Sequence, residues 1–264
     1  MVSLAVRPRS ALLAPFVASL HYHESAWPAA VERIMPNGQA HLMINLAEDQ
    51  FRSYSGETCS AISSRSGAVL AGPHGQAAAI DTAEQRWLAA VEFRPGGAAP
   101  FFGQPLTEAR DQIVSLDDLW GRDGALVRER LLEAPTAQAK LRVLEMILLE
   151  QLVDRGDPAV CFAVAAMERG LPVRETAARA GLLPRTLVRR FEQRVGLTPK
   201  RFARVRRLQR ILKSARRGAE WAAIAAEHGY TDQAHLVHDF RDLTGITPTA
   251  YRPQSARRGN HVPV

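Results

Sequence analysis

The chain has 264 residues, 46% hydrophobic and 23% charged, which suits about two folded domains and excludes a disordered or fibrous protein. Its net charge of +7 conceals an asymmetry: residues 1–120 carry 8 Lys+Arg against 12 Asp+Glu, residues 121–169 carry 7 against 8, and residues 170–264 carry 19 against 7. A basic final third joined to an acidic remainder reads as a polyanion-binding module attached to something that is not one.

Cys59 and Cys161 lie far apart without a CxxC or CxxH neighbour, so neither a disulfide framework nor a zinc site is indicated and a reducing, cytoplasmic location is expected. Arg7 and Arg9 ahead of the apolar Ala11 to Leu20 have the outline of a secretory signal. Pro15 interrupts that run and the polar His21-Tyr22-His23-Glu24 follows it, so residues 11–22 are read as an early helix or strand. No run approaches the ~18 apolar residues of a membrane span, and no membrane partner is expected.

The N-terminal part reads as β-rich. Val31 to Met35 and Ala40 to Leu46 flank the turn sequence Pro36-Asn37-Gly38, and Leu42, Ile44 and Leu46 alternate with His41, Met43 and Asn45, which predicts a hairpin. Ala68 to Ala71 and Ala77 to Ile80 surround a second turn at Gly72-Pro73-His74-Gly75, and the apolar segment Trp87 to Phe93 ends at Pro95-Gly96-Gly97. Short strands with turns between them suggest a small barrel or sandwich.

From about Ser115 the pattern turns helical. Ser115 and Asp118 form a candidate capping box for a short helix through Trp120. Leu141, Leu144, Ile147, Leu148 and Leu152 share one helix face in a segment opened by Pro135-Thr136 and closed near Gly156-Asp157-Pro158. That stripe reads either as a core face or as a dimer seam, which look alike in sequence. Cys161 to Met167 make one more short helix before Gly170-Leu171-Pro172.

Residues 173–252 nearly repeat themselves at a shift of about 49 positions. Leu187 corresponds to Leu236, Phe191 to Phe240, Gly196 to Gly245, Thr198-Pro199 to Thr247-Pro248 and Phe202 to Tyr251. Upstream, Val173, Thr176, Ala177 and Gly181 correspond to Trp221, Ile224, Ala225 and Gly229 with one residue less of shift. Each copy reads as helix, Gly-containing turn, helix, with Leu187 and Phe191 or their counterparts buried. The outward residues of the second helix are then Arg185, Val188, Arg189 and Arg190 in copy one, and Gln233, Ala234, Val237 and His238 in copy two.

That set suits a DNA major groove, where Arg can fork onto guanine, Gln onto adenine, and small or apolar side chains can meet the thymine methyl. A helix-turn-helix places its second helix in the groove and its first across the backbone. Between the copies, Lys200 to Arg217 is a continuous helical pattern with Phe202, Val205, Leu208, Ile211 and Leu212 inward. Its outward cations, Lys200 and Arg204 among them, are candidate phosphate contacts. The tail after Pro253, with Arg257 and Arg258, is expected to be disordered.

The set Gly229-Tyr230, Gln233-Ala234-His235-Leu236, Phe240, Gly245-Ile246-Thr247-Pro248 and Tyr251-Arg252 resembles the DNA-binding domain of AraC/XylS transcription regulators. The resemblance implies two helix-turn-helix modules joined by a long helix. Leu183 stands where a Ser cap is usual, Thr176 where an aliphatic residue is usual, and His238 where Arg or Lys is frequent; Leu183 implies a less well-capped first recognition helix. Arg33-Ile34-Met35-Pro36-Asn37-Gly38 and Phe93-Arg94-Pro95-Gly96-Gly97 resemble the cupin-like sensor domains of a subset of such regulators.

The expected fold is α+β in two domains: a β-rich, cupin-like barrel over residues 1–120 for an effector or for dimerisation, a helical connector over 121–169, an all-α tandem helix-turn-helix over 170–252, and a disordered tail over 253–264. The expected function is a sequence-specific DNA-binding transcription regulator without enzymatic activity or cofactor. Double-stranded DNA is its partner, with a small-molecule effector, a second copy of the chain and, for an activator, RNA polymerase as further ones. Two alternatives stand beside it. His21, His23, His41 and His74 would serve a metal-dependent cupin-type enzyme fused to a DNA-binding module, and the basic surface alone would serve a nonspecific nucleoid-type binder.

Overall fold

Short apolar runs broken by Gly, Pro and Asn give two antiparallel sheets in the computed structural model, which describes residues 2–25, 30–55, 61–255 and 258–264; Cys59 and Arg257 lie outside the described residues. β1 (Val2–Val6), β2 (Val17–Glu24), β4 (His41–Asn45), β7 (Ala68–Ala71), β9 (Trp87–Phe93) and β10 (Ile113–Ser115) form the first, in the order β1-β2-β9-β4-β7-β10. β3 (Val31–Ile34), β5 (Phe51–Ser55), β6 (Ala61–Arg65), β8 (Ala78–Asp81) and β11 (His261–Pro263) form the second, in the order β11-β3-β8-β5-β6. Residues 11–16 make turns and the chain enters β2 at Val17, so the early apolar run is in part a strand.

Two expectations change here. Val31 to Met35 and Ala40 to Leu46 do not form a hairpin: β3 pairs with β8 and β11, while β4 pairs with β7 and β9. Pro36-Asn37-Gly38, and likewise Gly72-Pro73-His74-Gly75 between β7 and β8, carries the chain from one sheet to the other. Such corners take the same turn residues as a hairpin, so local composition does not separate the two. For the same reason the barrel becomes two separate sheets.

Alternation sets the faces of the first sheet. Leu42 and Ile44 of β4, with Ala89, Val91 and Phe93 of β9, are buried. They enter the main core together with Leu116, Val127, Leu131, Leu141, Leu144, Ile147 and Leu148. Those come from α1 (Leu116–Trp120), α2 (Arg122–Glu133) and α3 (Ala137–Glu150), so the leucine stripe of α3 is a core face. Thr136 caps α3 by accepting from Ala139 N at 3.1 Å. Ser115 heads α1 without capping it, because its Oγ accepts from Ser66 N at 3.3 Å.

The helical half is α4 (Pro158–Glu168), α5 (Val173–Arg179), α6 (Pro184–Val195), α7 (Pro199–Arg216), α8 (Trp221–Glu227) and α9 (Gln233–Thr244). Val160, Ala163 and Met167 of α4 share a core with Ala177, Leu187, Phe191 and Phe202. The expected connector is therefore divided: α2 and α3 belong to the first core, and α4 to the first helical module. A third core joins Leu208, Ile211 and Leu212 of α7 to Ile224, Leu236, Phe240 and Tyr251. Met35, from the end of β3, and Val262 of β11 are also buried in it.

The tail beyond Pro253 is thus not disordered over 258–264. β11 pairs with β3, Tyr251 donates its hydroxyl to Gly259 O at 2.6 Å, and Met35 N donates to Asn260 O at 2.8 Å. Burying Val262 and completing the edge of the second sheet give this basic end an ordered place that its charge does not announce.

Candidate nucleic-acid interface

The two modules carry the helix-turn-helix layout at the expected positions. α5 leads to α6 through a turn at Gly181 and α8 to α9 through one at Gly229. α6 and α9 both end in a left-handed glycine, Gly196 at φ 81° and Gly245 at φ 71°, which the equivalent places in the repeat require. The starts differ. Asp232 caps α9 by accepting from His235 N at 2.7 Å, whereas Leu183 offers α6 no side-chain cap.

On α6, Arg185 and Arg189 are exposed and Val188 is half-buried; on α9, Gln233, Ala234 and His238 are exposed and Val237 is half-buried. Gln193 and Arg241 are exposed too and extend the two faces by a turn. They were legible in the repeat spacing of 185, 189 and 193 and of 234, 238 and 241, which continues one helix face.

Arg190 does not belong with them. Its Nε and Nη2 each donate at 2.7 Å to the carboxylate of Asp157, a bidentate pair with a side chain only 8% exposed. Asp157 also caps α4 through Ala159 N and Val160 N. Burial pushes this carboxyl up, but the Arg190 guanidinium and the two backbone donors outweigh it and hold Asp157 below its ordinary value.

Along α7, Lys200 is exposed while Arg204 is tied into the protein. Arg204 Nε donates to Asp239 Oδ1 at 2.7 Å and Nη2 to Asp242 Oδ2 at 2.7 Å. Arg207 reaches Asp239 at 3.0 Å and lies over the Tyr230 ring at 4.2 Å, and Tyr230 donates its hydroxyl to Asp239 at 2.6 Å. Burial pushes Asp239 up, and the donors around it overcome that and keep it ionised; burial and the same contact push the Tyr230 hydroxyl up. Of the two α7 cations proposed for phosphate, Lys200 faces solvent and Arg204 joins α7 to α9.

Residues 176–254 match a helix-turn-helix domain family. The C-terminal unit is an AraC-type helix-turn-helix domain. With two such modules the protein is a DNA-binding regulator of transcription. Residues 5–115, ahead of this AraC-type domain, match a domain of unknown function, DUF6597. Among curated proteins none matches the chain in sequence. Solved structures of ToxT from Vibrio cholerae are similar to it in outline. A 1.65 Å structure has 10% identity over 85% of this chain and 97% of that one, with a TM-score of 0.45. An apo variant has 9% identity over 95% and 97%, with a TM-score of 0.43, and a wild-type form bound to an unsaturated fatty acid has 10% over 94% of each, with 0.42. The likeness is loose.

In the N-terminal part, the face of the first sheet turned away from the core lines a cavity of about 570 Å³ with His21, His23, His41, Met43 and Glu92. The C-terminal segment from Arg258 to His261, and Arg216 of α7 in the AraC-type domain, line it from the other side. Burial holds His41 down to about 4, so it is neutral; the His21 ring at 3.6 Å and the Ser19 hydroxyl, which donates at 2.9 Å, hold Glu92 down to about 2 against its own burial. His74 is not in this cavity and bonds Gly72 O at 2.7 Å. Among the described residues no three His, Cys, Asp or Glu side chains are placed to hold a metal ion, and no helix is long and apolar enough to cross a membrane.

Proposed function

We propose that the protein reads two unequal DNA half-sites and that its N-terminal domain senses a small effector. The observation that carries the first part is the difference between the two exposed helix faces. α6 presents Arg185, Val188 and Arg189, a guanine-directed set, and α9 presents Gln233, Ala234, Val237 and His238, a less charged one. Distinct side chains on matching scaffolds favour sequence reading over a purely electrostatic binder, whose affinity would come from phosphates alone.

The effector site we assign is the 570 Å³ cavity, a size suited to a small metabolite. The neutral His41 ring, further imidazoles, the Glu92 carboxylate and the guanidinium groups of Arg216 and Arg258 surround it, so a polar ligand that both donates and accepts hydrogen bonds fits better than a hydrocarbon. A cytoplasmic site of action, a second copy of the chain and contact with RNA polymerase complete this reading.

Selection of genomic fragments bound by the purified protein, with and without small-molecule pools, tests it. Arg185→Ala and Gln233→Ala should each cost about 1–3 kcal/mol at particular base pairs and little elsewhere. If these variants bind selected and random duplexes in the wild-type ratio, α6 and α9 do not read bases.

A further inference from the structure

A helix leaves its last carbonyls without partners inside the helix, and water or a capping group must take them. In this protein both recognition helices have those carbonyls taken by the N-terminal domain. At the end of α6, Gln193 O accepts from Leu106 N at 2.8 Å and Gly196 O from Arg110 Nε at 2.5 Å. At the end of α9, Leu243 O accepts from Ala77 N at 2.8 Å, Asp242 O from Gln76 Nε2 at 3.3 Å and Thr244 O from Arg33 Nη1 at 3.2 Å. The two left-handed glycines meet the same domain: a Cβ on Gly196 would strike Pro73, and one on Gly245 the Arg33 guanidinium.

Two of these donors, Gln76 and Ala77, stand on one segment that is itself tied down. The segment 72–77 between β7 and β8 reaches both helices, Pro73 at α6 and Gln76 and Ala77 at α9. Arg201 of α7 ties its middle, donating to Gly75 O at 3.1 Å and to Asp242 at 3.2 Å. Behind it, Gly72 N donates to Gln112 O at 2.9 Å and Gly75 N to Asp111 Oδ1 at 2.7 Å. Asp111 alone among the described non-glycine residues has a positive φ, 55°. Arg33 and Arg110 also place cations at the negative ends of the two helix dipoles. The opposite ends, with Arg185 and Gln233, are left to solvent.

We propose that the 72–77 segment, with Arg33 and Arg110, is a gauge that sets the separation and tilt of α6 and α9, so that the N-terminal domain decides which half-site spacing the protein accepts. The proposal rests on the assignment of those two helices as base readers. Two reading helices fit one duplex only where their separation matches the helical repeat. α7 links the modules through its two cores and holds α9 through Arg204, and the gauge adds ties from the N-terminal domain at the C-terminal ends of both helices. The segment also begins one residue after Ala71, which lies opposite His41 of the cavity in the β4–β7 ladder, so a change at the cavity has a short covalent and hydrogen-bonded route to the gauge.

The test uses the full chain and a duplex selected by the wild type, together with versions in which one or two base pairs are added or removed between the half-sites. The wild type should prefer the selected spacing strongly. The double variant R33M/R110M should keep the base preference within each half-site while its preference for the selected spacing falls at least about threefold. Gln76→Ala, at the exposed edge of the contact, should shift it in the same direction by less, and it decides the matter if the double variant fails to melt cooperatively. Unchanged spacing preference in the folded variants, or an equal loss at every spacing as a merely structural role predicts, overturns the proposal. A wild type that selects no duplex at all overturns the base-reading assignment first, which is a different result from a wild type with a fixed spacing that its variants retain.

Discussion

Arg204 Nε donates to Asp239 Oδ1 at 2.7 Å, and this bond separates two cations that look equivalent along α7. Lys200 is exposed and has the reach of a phosphate contact, while Arg204 is 24% exposed and holds α9 through Asp239 and Asp242. Lys200→Ala should weaken binding to selected and random DNA alike, lower the slope of log affinity against log salt by about 1, and leave thermal stability unchanged. Arg204→Ala should lower the melting temperature at a cost of about 1–3 kcal/mol, because it strips donors from a buried carboxylate. Salt-series binding and calorimetry on both variants check this; equal stability and equal salt slopes would remove the distinction.

What the sequence disclosed was whatever rests on local pattern. Gly196 and Gly245, Leu187 and Leu236, and Phe191 and Phe240 follow from a repeat, and helix faces follow from spacing, so the two modules and most of their outward residues were readable. Partners far along the chain were not. Arg190 lies on the outward arc of α6, yet its partner Asp157 is 33 positions away, at the start of a helix assigned to a connector. β3 and β4 flank a good turn sequence but lie in different sheets, because β3 is completed by a strand more than 200 residues later. Met35 reads as a strand residue of the first domain and is buried in the core of the second module. None of these leaves a periodic trace.

Thr176 shows a departure with an energetic consequence. The resemblance to AraC/XylS regulators implies an aliphatic residue here, and the structure buries Thr176 completely with no hydrogen-bond partner for its hydroxyl. An unpaired buried hydroxyl costs on the order of 1–3 kcal/mol. Thr176→Val keeps the shape and replaces the hydroxyl by a methyl, so it should raise stability by about 1 kcal/mol without altering DNA affinity measured well below the melting temperature. Denaturant melts of the two proteins decide it, and a destabilised Val variant would mean that the hydroxyl has a partner in solution.

His41 gives the fold a pH limit. Burial lowers it from its ordinary 6.5 to about 4, so between those values the unfolded chain binds a proton that the folded chain refuses. Unfolding then takes up protons, and the stability linked to His41 is complete above about pH 6.5, is lost as pH falls, and levels off below about 4. His41 Nε2 lies 3.1 Å from Asn37 Nδ2, the arrangement of a neutral ring accepting a hydrogen bond. His41→Gln should keep an acceptor there and flatten the fall in melting temperature between pH 7 and 5; a variant with the wild-type slope would place the pH sensitivity elsewhere.

The ordered tail supplies the last prediction. Glu32 of β3 is 1% exposed, and it accepts from Arg258 Nη2 at 2.9 Å with His261 Nδ1 at 2.8 Å, both on the final segment of the chain. Deleting residues 255–264 removes both partners at once and leaves the carboxylate in a buried site, besides uncovering Met35 by the loss of Val262. Breaking a buried pair on one side costs about 3–5 kcal/mol, mostly from the charge left behind. The truncated chain should therefore melt well below the full-length protein. Glu32→Gln should raise the melting temperature of the truncated chain but lower that of the full-length one, since the charge is a burden only where Arg258 and His261 are gone. A double-mutant cycle on these four proteins measures the coupling directly. If Glu32→Gln shifts both backgrounds equally, the tail does not neutralise Glu32, and any loss on truncation belongs to Val262 and the β3–β11 ladder alone.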